Sequence, residues 1–112
     1  MKRAEIWTAS LEPHVGTEVG KQRPVLIVQT DLLNDIGHST LIVLPMSSKE
    51  QSENLLRFKI ESPTLHRGAA YVLIDQIRSI DAKQRLKKKI GKLNEVEMKK
   101  VGQLILHALD LK

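Results

Sequence analysis

The chain has 112 residues, of which 41% are hydrophobic and 28% charged, with a formal charge of +5 and a pI near 9.6. That length accommodates one folded domain, residues 1–112, and the balance of apolar and charged residues excludes a disordered or fibrous chain. Cysteine is absent, which excludes disulfides and thiolate metal sites. No apolar run approaches the roughly 20 residues that span a bilayer. The opening Met1-Lys2-Arg3-Ala4-Glu5-Ile6 lacks the apolar stretch of a secretory signal, so a cytoplasmic protein is expected. The positive charge suits a polyanionic partner, either nucleic acid or an acidic protein. Trp7, Phe58 and Tyr71 are the only aromatics, too few for a base-stacking platform.

In chain order, residues 5–11 read as a first strand, followed by a loop over 12–22 that holds Pro13, Gly16 and Gly20. Residues 24–30 form a buried apolar strand with proline at its first position. Asp31 is placed to cap a helical turn that reaches Ile36. A third strand spans 39–46, and 47–54 is a polar loop. Residues 55–61 alternate like a half-buried strand, 62–68 turn, and 70–80 read as one long fifth strand. Residues 81–86 suit a short helical turn. Asn94 with Glu97 three positions on marks a helix start, and Val101, Leu104, Ile105, Ala108 and Leu109 then recur at helical spacing. Strands this close together leave no room for crossover helices. The expected fold class is therefore mainly β with a C-terminal α-helix (α+β), a small, strongly curved half-barrel of mainly antiparallel strands.

Four groups of residues carry candidate chemistry. In Gly16-Thr17-Glu18-Val19-Gly20-Lys21-Gln22-Arg23-Pro24, a loop with a carboxylate and a guanidinium feeds a rigid strand. Arg23 either grips phosphate oxygens with its planar fork or pairs with Glu18 to brace the loop. Ser47 and Ser48 follow an apolar strand and either offer hydroxyls to a phosphate or simply start a loop. Asp75, in Ile74-Asp75-Gln76-Ile77-Arg78, is a carboxylate in an apolar strand. It requires a partner, such as the backbone amides of a nearby loop, or acts as an acid or base. Residues 83–92 hold six Lys or Arg and no acid; they track a nucleic-acid backbone or form a solvated face. His14, His38, His66 and His107 are far apart, show no metal-ligand spacing and read as surface residues.

Ala4-Glu5-Ile6-Trp7, Leu11-Glu12-Pro13, the segment from Gly16 to Pro24 and Asp75-Gln76-Ile77-Arg78-Ser79-Ile80-Asp81 resemble the MazF/PemK family of toxins across nearly the whole chain. The resemblance implies an SH3-like barrel and a homodimer that cleaves single-stranded RNA, usually mRNA, and arrests growth. It also implies an antitoxin whose acidic C-terminal segment occupies the RNA groove. No metal or other cofactor is implied: the ribose 2′-hydroxyl attacks phosphorus, leaving 2′,3′-cyclic phosphate and 5′-hydroxyl ends. The implied catalytic residues are Arg23, Ser47 (a threonine in one branch), Glu18 and Asp75. RNA contacts fall on Thr17, Gln22, Ser48, Gln76, Arg78 and Arg85, with the loops 48–54 and 62–67 reading bases. The PemK/Kid branch joins its aspartate to a histidine at position 17 and an arginine at position 73, where this chain has Thr17 and Leu73. Two other readings use the same barrel. One is a non-catalytic RNA-binding module. The other is a CcdB-type gyrase poison, which relies on a C-terminal tryptophan; here the only tryptophan is Trp7.

Overall fold

The computed structural model describes residues 1–49, 52–61 and 69–111. Seven strands and three helices follow one another: β1 (Glu5–Ser10), β2 (Gln22–Ile27), α1 (Asp31–Asn34), β3 (Thr40–Ser47), β4 (Arg57–Glu61), β5 (Ala69–Leu73), β6 (Arg78–Asp81), α2 (Ala82–Arg85), β7 (Leu86–Lys92) and α3 (Glu95–Ala108). The strands form one antiparallel sheet in the order β4-β5-β3-β2-β1-β7, with β6 also paired to β3. The expected α+β architecture is therefore the one observed.

Alternation along the strands divides their side chains between two cores. On one face Ile6, Leu26, Leu44, Met46, Ile60 and Val72 meet Met98, Val101 and Leu104 of α3. On the other, Ala9, Val25, Ile27, Leu41, Val43 and Ile80 pack with Ala82 and Leu86. α3 starts at the expected capping box: Glu97 N donates to Asn94 Oδ1 (2.8 Å) and Asn94 N donates to Glu97 Oε1 (3.1 Å). Its buried stripe begins earlier than the sequence spacing indicates, at Met98, and Ala108 and Leu109 are left exposed. The cap of α1 is Thr30, whose Oγ1 accepts from Leu32 N; Asp31 lies in the first turn and accepts from Arg3 N (2.7 Å).

The fifth strand expected over 70–80 is broken. Ile74–Gln76 forms a 3₁₀ turn that separates β5 from β6, although both pair with the uninterrupted β3. Met46 faces Val72 and Val43 faces Arg78, so the chain slips by three residues between the two ladders. An odd slip exchanges faces. Val72 therefore packs in the α3 core while Ile80 packs in the other. The run 83–92 also differs from a plain solvated segment. It supplies most of α2 and then β7, the border strand, which pairs with β1 through two irregularities and carries Lys87, Lys88 and Lys89 exposed.

Candidate active site

The face turned away from α3 carries an open groove of about 350 Å³. Its floor follows from strand register. Val25 on β2 faces Pro45 on β3, and continuing that ladder by two residues brings Arg23 opposite Ser47. Ser47 in turn faces Tyr71 on β5, and Leu73, one step along the same face, faces Arg57 on β4. Arg23, Ser47, Leu73 and Arg57 are thus brought together from four strands, and all four line the groove. The loop before β2 forms a wall with His14, Glu18, Val19, Gly20 and Lys21, and Lys49 closes the rim. Four Lys or Arg side chains face one carboxylate, Glu18, which gives the groove a net positive lining suited to an anion.

Arg23 is half-buried. Its Nε donates to Gly20 O (2.8 Å) and an Nη approaches Met46 O (3.5 Å). Burial holds its pKa below the ordinary arginine value, yet a guanidinium remains the charged form in proteins. Among the described residues no carboxylate pairs with it. The loop-bracing Arg23–Glu18 pair is not formed; instead Glu18 closes its own turn. Its Oε1 accepts from Val15 N (2.9 Å) while Glu18 N donates to Val15 O (3.0 Å). Gly16 supplies the left-handed backbone (φ +56°) that this turn needs. Ser47 Oγ accepts from Lys49 N (3.2 Å), which orients the hydroxyl beside Arg23.

Asp75 sits in the 3₁₀ turn rather than within a strand. Among the described residues it holds no loop amide; it pairs with Arg57, which lines the groove. The next residue, Gln76, takes the loop: its Oε1 accepts from Val19 N (3.3 Å). Arg85 lies off the groove, and donates to the carbonyls of Ser10 (3.0 Å) and Glu12 (2.7 Å) at the loop's start. Arg78 lies on β6 opposite Val43, and Gln22 falls on the face of β2 opposite to Arg23. Thr17 and Ser48 are exposed beside the groove-lining Glu18 and Ser47. His66 with the whole 62–67 loop, and residues 50–51 of the 48–54 loop, lie outside the described residues. Among the described residues no three His, Cys, Asp or Glu side chains converge as a metal centre requires.

The profile of the PemK-like, MazF-like toxins of type II toxin–antitoxin systems matches residues 2–109. The chain belongs to this family. Among MazF-like relatives, the endoribonuclease EndoA of Bacillus subtilis is 31% identical over 112 residues, covering 99% of this chain and 96% of that protein. The crystal structure of MazF from Deinococcus radiodurans superposes with a TM-score of 0.84 at 17% identity, covering 99% and 97% of the two chains. A mycobacterial endoribonuclease solved in complex with its cognate antitoxin superposes at 0.80, also at 17% identity, covering 100% and 97%. These neighbours carry the fold, so the MazF/PemK barrel expected from the motifs is the one present.

Two groove residues of this MazF-like chain escape the sequence reading. Arg57 is cross-strand from Leu73, the position at which the PemK/Kid branch carries arginine. His14 lines the wall three residues before Thr17, and its ring is held by Glu12. The Glu-x-His spacing was the only available signal.

Proposed function

We propose that this chain is an endoribonuclease toxin that cuts single-stranded RNA, above all mRNA, in the cytoplasm without a metal ion, and so arrests growth. The observation that carries the proposal is Arg23: a withdrawn cation, fixed by a carbonyl, with no carboxylate among the described residues, beside a hydroxyl in an open basic groove. The ribose 2′-hydroxyl attacks the adjacent phosphorus, and the products are a 2′,3′-cyclic phosphate and a 5′-hydroxyl. Arg23 stabilises the charge that builds on the phosphorus-bound oxygens. Ser47 donates to the same oxygens. Glu18, whose second carboxylate oxygen is left by its contact with Val15, accepts the 2′-hydroxyl proton. Asp75 acts through Arg57, which it holds against the groove.

Thr17, Ser48 and Gln76 flank the groove and contact RNA, while Gln22, Arg78 and Arg85 reach it only if the strand wraps beyond the groove described. An acidic antitoxin segment fits the same cations. Residues 1–112 act as one domain. Two copies pair as a homodimer; supporting this is a second, apolar depression lined by Val28, Ile42, Ile77, Ile105 and Leu106.

The test is a short unstructured RNA incubated with the protein in EDTA. Cleavage is expected, with cyclic phosphate ends, and a single 2′-deoxy nucleotide at the scissile position abolishes it. A cut at the deoxy position would falsify the mechanism.

A further inference from the structure

The reaction moves two protons: one leaves the 2′-hydroxyl and another must reach the departing 5′-oxygen. Glu18, the only carboxylate among the described groove-lining residues, serves the first transfer, and a base that takes up that proton is not the donor for the second. Arginines do not release one, and lysines hold theirs too tightly near neutrality. The remaining candidate on the wall is His14, since an imidazole exchanges a proton in that range.

The loop is built around this ring. Nδ1–H of His14 donates to both oxygens of Glu12, at 3.1 and 3.0 Å. Glu12 in turn accepts from Lys21 N, and these contacts hold its carboxyl below the usual carboxylate range, the Lys21 amide foremost and His14 next. The carboxylate fixes the ring's orientation and leaves Nε2 for a substrate. Gly20 completes the seat. A Cβ there would overlap the Glu12 carboxylate and the imidazole, reaching His14 Cγ at 2.6 Å. The backbone of Gly20 is not left-handed, so a side chain there would conflict only with the His14–Glu12 pair, which would have to move aside.

Resting on the ribonuclease reading, we propose that His14, oriented by Glu12 and seated against Gly20, is the general acid that protonates the 5′-oxygen. In this step the O2′–P bond forms as the 2′-hydroxyl proton passes to Glu18. The P–O5′ bond breaks as the Nε2 proton of His14 passes to O5′. Glu18 ends protonated and His14 neutral, and exchange with water restores both. This assignment replaces the surface role that the histidine spacing indicates.

The experiment compares two RNAs that differ only at the scissile linkage, one with the natural 5′-oxygen and one with sulfur in its place. A thiolate departs without a proton, so the sulfur linkage bypasses a general acid. His14→Ala is expected to slow cleavage of the natural linkage by about 100- to 10,000-fold and to cut the sulfur linkage at nearly the wild-type rate. Gly20→Ala, which displaces the ring and keeps its chemistry, should show the same selective defect in milder form. Equal losses on both RNAs in His14→Ala, or no loss on either, overturn the assignment while wild-type cleavage keeps the ribonuclease reading intact. Wild-type protein that cuts neither RNA overturns both.

Discussion

Glu5 and Arg23 lie on neighbouring strands, and each is a charge drawn out of water, yet their surroundings are opposite. Burial alone would raise the pKa of Glu5. Donors from Trp7 Nε1 (3.0 Å), Lys2 N (3.0 Å) and Lys89 Nζ (3.1 Å) reverse that and hold it at about 2, down from 4.5. Arg23 receives two carbonyl contacts and no counter-charge among the described residues. A compensated charge locks β1 to β7; an uncompensated one keeps its field directed at the groove, where the proposed substrate's phosphate would supply what is missing. The contrast separates a group suited to stability from one suited to the proposed chemistry.

The sharpest way to break this contrast is Arg23→Ala. Loss of one such donor slows cleavage by about 100- to 1,000-fold. Because a desolvated cation is removed as well, the melting temperature should hold steady or rise; a clear fall would make Arg23 a structural residue. Glu5→Gln is the converse change. A folded-state pKa below the unfolded one stabilises above the unfolded pKa, here about 4.5, and that stability is lost as pH falls towards 2. At neutral pH the variant should lose about 2–3 kcal/mol in urea unfolding, with a flatter acid limb between those pH values and unchanged cleavage per folded molecule. Asn94→Ala provides the baseline, because its hydrogen bonds go to Glu97 and to neither of these charges. Without its capping box α3 should cost the fold about 1 kcal/mol and leave the cutting rate alone.

Much of the fold was legible because apolar alternation and capping residues are local signals. The capping box at Asn94 and Glu97 and the strands rich in Val, Ile and Leu needed nothing else. The break at Ile74–Gln76 was not legible. An odd slip moves Val72 and Ile80 into different cores, yet both remain apolar, so the run reads as continuous. β7 was hidden for a different reason: a border strand sends its side chains to water, so lysines replace the usual pattern. At the site, Arg23 and Ser47 stood out through their motifs. Arg57 is brought in only by the β4–β5 register, and His14 only by the loop folding back onto Gly20.

The lysines of β7 also bear on which edges of this molecule another copy could join. The outer backbone of that strand is where another sheet would attach, and its approach would bring ammonium groups face to face. Growth into ribbons of stacked protomers is discouraged at its most exposed seam. In the proposed pair, the apolar depression beside Ile42 and Leu106 is closed instead, which leaves no open strand edge between the copies for a third.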